Sequence, residues 1–232
     1  MTLFEVTRHF LTRRRRPKGG TKTSLVLWFA VFCWETFKKI RSAIILTGYN
    51  SSSIAAYFRK QGAHIGEDCQ ILVTSLGLDP YLISIGNHVF ISLGVRFHNH
   101  DGGVWILRDR VPGIRAYGPI VIEDNCIIGV NVMLLPNIRI GSNSIVGTGS
   151  VVISDVPPNS VVMGVPARVI GSIQKYEEKC IERWNEQKPP GLDMEKDYEW
   201  WRFKKNRKKL RTHLTNLFKD QLKLTGQKET DK

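Results

Sequence analysis

An aliphatic residue recurs at every sixth position between residues 120 and 157 of this 232-residue chain. The series consists of Ile122, Ile128, Leu134, Ile140, Val146 and Val152. A period of six matches neither the 3.6-residue turn of an α-helix nor the two-residue alternation of a β-strand. It is typical of a β-helix built from hexapeptide repeats, in which each short strand contributes one inward aliphatic side chain and successive coils stack.

The residues between these aliphatic positions are suited to tight corners. Glycine follows the aliphatic residue at positions 129, 141 and 147, where the missing Cβ permits unusual backbone angles. Asn and Ser hydrogen-bond locally in turns, and Asn also accepts left-handed backbone. They occupy the same segments at Asn125, Asn131, Asn137, Ser142 and Asn143. We therefore expect a mainly β fold with amide-rich corners.

The six-residue spacing also extends upstream of residue 120. The upstream positions are Ile65, Ile71, Ile85, Ile91 and Phe97. The phase of these upstream positions shifts between residues 72 and 84, where a loop containing Gly77 and Pro80 absorbs the change. The predicted regions are an N-terminal helical and hydrophobic region over 1–62, a β-helix over 63–170 with an insertion at 98–119, and a C-terminal helical basic tail over 171–232.

Helices are predicted on both sides of the repeat. The serines before Ile54 and the glycine at position 62 favour a short helix over 51–61, which would cover the open end of the first coil. Helical spacing over 170–184 and a basic segment over 195–217 predict two helices in the tail, separated by Pro189-Pro190-Gly191.

The composition restricts the classes of site and partner. Four cysteines lie far apart without a C-x-x-C pair, which favours a reducing, cytoplasmic location and no zinc site. The net charge of +13 is concentrated at the two ends of the chain. Solvated helix faces, phosphate-bearing ligands and acidic lipids all remain open as explanations. No nucleic-acid-binding motif accompanies the basic runs, so we expect no nucleic-acid partner.

An apolar run over residues 25–34 leaves three alternatives for the N-terminal region. The run is too short to span a bilayer, which requires about 20 apolar residues. It is compatible with a helix packed on a neighbouring subunit, a cleaved signal, or a helix in the membrane interface with basic flanks at the lipid phosphates. In the last case residues 13–41 would contact the inner face of the cytoplasmic membrane.

Several motifs together resemble the hexapeptide-repeat acyltransferases. They are Ile128-Gly129, Leu134-Leu135-Pro136-Asn137, Ile140-Gly141, the segment Val146 to Val152, Gly164-Val165-Pro166-Ala167-Arg168, and the segment Phe97 to Trp105. The last of these is similar to members that O-acetylate sugars of surface polysaccharides and to xenobiotic acetyltransferases. The resemblance implies a left-handed parallel β-helix, a homotrimer, and acetyl-CoA or another acyl-CoA as co-substrate without a metal.

The resemblance also implies positions for the acyl donor. Family members place pantetheine along coil corners between subunits, using mainly backbone groups. The matching positions are Gly129, Gly147 and Thr148, and Arg168 would meet a phosphate or the adenine. Tight turns also require glycine, so the fold alone explains the glycines at positions 129 and 147 equally well.

Acyl transfer to a hydroxyl requires a base, and histidine suits this role because its ordinary pKa of about 6.5 lies near neutral pH. His98 and His100 begin the insertion, where functional loops are frequent. The family pattern of Phe, two residues, His-Asp and Gly-Gly places the base at His100. Asp101 would then orient its imidazole or bind the acceptor; alternatively, a carboxylate or carbonyl from elsewhere, such as the carboxylate of Glu123, would orient the ring.

The acceptor is expected to contact the insertion. Trp105 and Tyr117 offer aromatic faces to a sugar ring, and His98 lies at the start of the same insertion. The resemblance thus implies acetyl transfer from acetyl-CoA to a hydroxyl of a sugar or surface polysaccharide, of the capsule, O-antigen or exopolysaccharide type. The alternatives are N-acetylation of an amino sugar or antibiotic, and a non-catalytic β-helix scaffold.

Overall fold

The computed structural model describes residues 51–191 and 200–222. The chain divides into two compact units, Met1–Ile170 and Gly171–Lys232. The apolar N-terminal run and the proposed membrane-contacting residues 13–41 lie outside the described residues. Among the helices of the described ranges, none is both long and apolar enough to cross a membrane.

Three walls of short strands form the first unit, and the strands of successive coils pair in parallel. Wall one contains β1 (His64–Ile65), β3 (Ile83–Ile85), β6 (Ile120–Ile122) and β9 (Ile138–Ile140). Wall two contains β2 (Gln70–Ile71), β4 (Phe90–Ile91), β7 (Ile127–Ile128), β10 (Ile145–Val146), β12 (Ser160–Gly164) and β13 (Ala167–Ser172). Wall three contains β5 (Arg96–Phe97), β8 (Met133–Leu134) and β11 (Val151–Val152). The prediction of a left-handed parallel β-helix is confirmed.

The six-residue series builds the core of this β-helix. Ile120 pairs with Ile138, and Met133 pairs with Val151, so that one regular coil consists of three hexapeptides. Every member of the series from Ile122 to Val152 is at most 1% exposed. Burial of these aliphatic side chains supplies most of the favourable free energy of folding in a stack of this kind.

The corners hold left-handed residues, as the amide-rich segments predict. Asn125, Asn131, Asn137 and Asn143 have φ between 56° and 59°. The amide of Asn125 donates to Asn143 Oδ1 at 2.7 Å, and the amide of Asn143 donates to Asn159 Oδ1 at 3.1 Å. These side chains therefore bind successive coils together along one edge of the molecule.

A helix, α1 (Ser51–Lys60), closes the first coil as predicted from the sequence. Phe58 is fully buried and belongs to the same apolar core as Ile65. Arg59 fastens the helix, because its Nε donates to the carbonyl oxygen of Ile65 at 2.8 Å and its Nη2 donates to that of Gly66 at 2.6 Å.

Helices follow the last two residues of β13 in the described part of the second unit. It contains α2 (Ile173–Gln187), α3 (Trp200–Leu217) and α4 (Lys219–Leu222). The hydroxyl of Ser172 caps α2 by accepting from the backbone N–H of Lys175 at 3.4 Å. The two helices predicted for the tail are confirmed, with the proline pair after α2 as the break between them.

Candidate active site

Backbone hydrogen bonds close the base of the insertion around His100. His100 and Tyr117 form an isolated antiparallel bridge. The N–H of Asp101 donates to the carbonyl oxygen of Ala116 at 2.9 Å, and the N–H of Gly118 donates to that of Asn99 at 3.0 Å. The two ends of the insertion are thus joined, which holds His100 at a fixed position at the end of wall three.

A carboxylate from a different coil faces His100. The Nδ1 atom of His100 lies 3.8 Å from Asp79 Oδ2, and the two side chains are 36% and 20% exposed. This separation is longer than a hydrogen bond but within the range of an ion pair. Catalytic hydrogen bonds are often long in ligand-free enzymes and shorten when substrate binds. With Nδ1 facing Asp79, the other ring nitrogen is left for a reacting hydroxyl.

Asn99 fixes the segment that carries Asp79. Its side chain is fully buried, its amide donates to the carbonyl oxygen of Asp79 at 2.6 Å, and its Oδ1 lies 3.4 Å from His100 Nδ1. The segment also passes close to the coil at Gly77, which has a φ of +89° and where an added Cβ would lie 2.8 Å from the carbonyl oxygen of Phe97. Glycine is required at this position on both grounds.

Tyr81 completes this group from the 3₁₀ helix Pro80–Leu82. Its hydroxyl donates to Asp79 Oδ1 at 3.1 Å. This hydrogen bond to a carboxylate raises the pKa of Tyr81, with smaller contributions from desolvation and from the charges of Asp79 and Tyr117. The carboxylate of Asp79 therefore lies between Tyr81 and His100.

Neither Asp79 nor Tyr81 is among the site residues predicted from the sequence, because both lie in the loop that absorbs the shift in the repeat. An acidic residue directly before Pro80, in a segment that interrupts a regular array, is the signal that points to them.

The two carboxylates considered from the sequence have other partners. Asp101 Oδ1 accepts from the N–H of Gly103 at 2.7 Å and thereby caps the 3₁₀ helix Gly102–Leu107. Glu123 binds Arg139 at 2.9 Å and accepts from both the N–H and the hydroxyl of Ser142. The hydrogen bond from Arg139 is the largest cause that lowers the pKa of Glu123, followed by those from Ser142. Both groups thus stabilise local structure.

The expected acceptor residues differ in their exposure. Trp105 lies on the 3₁₀ helix Gly102–Leu107 and is 69% exposed, and Tyr117 is 51% exposed beside His100. His98 is half-buried, and its Nε2 is shielded from solvent without a hydrogen-bond partner among the described residues. Two aromatic faces and one unpaired ring nitrogen thus lie in or at the base of the insertion.

The four positions expected to bind the acyl donor lie in strands of wall two or directly after them. Gly129 follows β7, Gly147 and Thr148 follow β10, and Arg168 lies on β13. An added Cβ at Gly129 would lie 2.7 Å from the backbone nitrogen of Thr148, so stacking of the coils already requires this glycine. At Gly147 the nearest atoms to an added Cβ belong to the flexible side chain of Met163. Thr148 and Arg168 are exposed.

Similarity to known proteins extends over the repeat and beyond it. The family described as bacterial transferase hexapeptide (six repeats) matches residues 119–154. Protein CapG of Staphylococcus aureus is 45% identical over 152 residues, which cover 64% of this chain and 88% of CapG. Galactoside O-acetyltransferase of Escherichia coli strain K12 is 37% identical over 110 residues, which cover 47% of this chain and 54% of that protein.

The match to solved structures is shorter. A hexapeptide-repeat acetyltransferase from Vibrio cholerae in complex with acetyl-CoA is 30% identical, with a TM-score of 0.42, and the alignment covers 50% of this chain and 74% of that one. The chain spans about half the length of the Escherichia coli relative. Gly129, Gly147 and Thr148 fall within the segment matched by the family, whereas Asp79 and His100 precede it.

Proposed function

Because the chain belongs to the bacterial hexapeptide-repeat transferase family, we propose that it transfers an acetyl group from acetyl-CoA to a hydroxyl of a sugar, in a surface polysaccharide of the capsule, O-antigen or exopolysaccharide type. The observation that carries the proposal is the pair of Asp79 and His100 at the base of the insertion. The galactoside O-acetyltransferases and the acetyl-CoA complex among the relatives support the choice of donor and acceptor.

His100 acts as the general base in a direct transfer. Acetyl-CoA supplies the acetyl group as an activated thioester. The free ring nitrogen of His100 takes the proton of the sugar hydroxyl while the hydroxyl oxygen forms its bond to the acyl carbon. When the bond from that carbon to sulfur breaks, the protonated imidazole returns the proton to the sulfur. The sugar ester and the free thiol are the products, and His100 ends in its starting state.

Asp79 serves as a positioning residue for this base. Its carboxylate lies 3.8 Å from Nδ1 of the imidazole, a separation that shortens to a hydrogen bond when substrate binds, and it stabilises the positive charge that develops on the ring. The hydroxyl of Tyr81 donates to the other carboxylate oxygen and restricts its rotation. The buried amide of Asn99 holds the backbone of Asp79 against the base of the insertion.

The donor and acceptor are assigned to different parts of the first unit. Gly129, Gly147 and Thr148 bind the pantetheine arm through backbone groups along wall two, and the exposed guanidinium of Arg168 binds a phosphate or the adenine. Trp105 and Tyr117 stack on the acceptor sugar, with His98 at the base of the same insertion.

The assembly in this proposal is a homotrimer in the cytoplasm. Apolar side chains on the outside of several coils support packing between subunits, since Leu93, Ile127, Val130 and Ile153 are each at least 40% exposed in the single chain. Contact of residues 13–41 with the inner face of the cytoplasmic membrane is part of the same proposal. A polysaccharide assembled at that surface would then lie close to the enzyme.

A comparison of two aspartates tests the mechanism. Asp79→Asn keeps the size of the side chain but removes the charge that faces the imidazole, so we expect kcat to fall about a hundredfold. Asp101→Asn is the matched control, because Asn caps helices about as well as Asp, and its kcat should change by less than about threefold. The measurement is thiol release from acetyl-CoA in the presence of a sugar acceptor. A larger loss in Asp101→Asn than in Asp79→Asn would contradict the role of Asp79.

A further inference from the structure

A surface cavity of about 590 Å³ lies within the second unit, whereas the residues assigned to acetyl transfer belong to the first. It is bounded by the proline pair after α2 and by one face of α3. The lining residues are Pro189, Pro190, Lys208, Lys209, Thr212, His213 and Asn216. Those on α3 are spaced one, three or four positions apart, so they form one continuous face of the helix.

The lining of this cavity is cationic and rich in donors. Lys208 and Lys209 supply two ammonium groups, and Thr212 and Asn216 supply a hydroxyl and an amide. Among the described residues that line the cavity, none carries a carboxylate. Because both lysines line the same cavity, an anion bound there would meet two positive charges. The chemistry of the lining therefore favours an anionic ligand.

His213 adds a second, independent observation. It lines the cavity, and its Nε2 is shielded from solvent with no hydrogen-bond partner in the described part of the chain. A shielded polar nitrogen of this kind is costly unless a ligand or an ordered water satisfies it. Lys209 lies one helical turn before His213, so an oxygen of an anion held in the cavity becomes a partner for this nitrogen once the ring turns toward it.

We propose that this cavity binds the phosphate group of a ligand. A phosphate carries close to two negative charges at neutral pH and several strong acceptor oxygens, which match two ammonium groups, a hydroxyl and a ring nitrogen better than a single carboxylate does. The segment from Arg202 to Arg211 holds seven basic residues in ten, which raises the local concentration of anions around the cavity. The site does not depend on the proposed acetyl transfer.

The test uses the full-length chain and inorganic pyrophosphate in an isothermal titration. The double variant Lys208→Ala with Lys209→Ala should weaken binding at least about tenfold, because both charge-assisted contacts are lost. The control is Arg207→Ala with Arg211→Ala, which removes two exposed cations from the same helix outside the cavity and should change Kd by less than about threefold. Equal weakening in both double variants, or no binding to the wild type, would overturn the proposal.

A second measurement distinguishes binding of the anion in the cavity from general attraction of anions to the basic helix. Saturating pyrophosphate should shift the ring resonances of His213 in the wild type, and the shift should be lost in the lysine double variant. Vesicles of phosphatidylcholine with and without phosphatidic acid then distinguish a lipid headgroup from a free phosphate. If the ring resonances of His213 stay unchanged at saturating pyrophosphate, the anion binds elsewhere and the assignment fails.

Discussion

Replacing His100 by alanine is expected to lower acetyl transfer by about a thousandfold or more while leaving the β-helix folded. A positioned general base raises the reaction rate about 10²–10⁴-fold. Without the imidazole of His100, Asp79 also has no base left to position. The side chain of His100 is about one-third exposed and belongs to no part of the apolar core. Its removal therefore changes the chemistry far more than the stability.

The variant is measured by thiol release from acetyl-CoA with and without a sugar acceptor, at matched protein concentration. His98→Ala is the control, since His98 lies two residues away at the base of the same insertion. We expect it to raise KM for the acceptor with little change in kcat. Thermal unfolding of all three proteins verifies the fold. Turnover by His100→Ala within about tenfold of the wild type would contradict the assignment of the base.

Replacing Leu134 by alanine should lower the free energy of unfolding by about 3 kcal/mol, within the range of about 2–5 kcal/mol for buried Leu→Ala changes. Leu134 is fully buried, and it pairs with Phe97 on one side and Val152 on the other. The loss of three carbon atoms leaves a cavity in the middle of the stack. Neighbouring coils on both sides hold their positions and restrict its collapse.

The control for this substitution is the preceding residue in the same strand. Met133 is only partly buried, because successive side chains of a strand face opposite ways. Met133→Ala should cost less than half as much as Leu134→Ala in unfolding by chemical denaturant, followed by circular dichroism. Equal costs for the two variants would contradict the inward orientation of the six-residue series.

The β-helix can be predicted well from the sequence because the information is local and repeated. Each aliphatic residue at a sixth position, and each Asn at a corner, specifies the same local geometry in its own coil. The stacked coils repeat this geometry along the β-helix. The left-handed backbone at Asn137 follows from the tolerance of Asn for that conformation. Tight corners and inward side chains can therefore be located from the residue pattern alone.

The partner of His100 could not be predicted in the same way. Asp79 lies 21 positions upstream of His100, in a loop whose length departs from the repeat, and its position depends on the buried amide of Asn99. The carboxylates considered from the sequence are Asp101, which is adjacent to the histidine, and Glu123 in a later coil. Adjacent residues in extended backbone point in different directions, and Asp101 accepts a hydrogen bond from the backbone N–H of Gly103.

Product analysis tests the central claim most directly. The wild-type protein is incubated with acetyl-CoA and a panel of neutral sugars, amino sugars and surface polysaccharides, and the products are examined by mass spectrometry before and after mild alkali. We predict an acetylated sugar whose acetyl group is removed by alkali, as expected for an ester. The Asp79→Asn variant should form this product at a much lower rate than the wild type. An alkali-stable acetyl group on an amino sugar, or no acetylated product from any acceptor while acetyl-CoA stays intact, would contradict sugar O-acetylation.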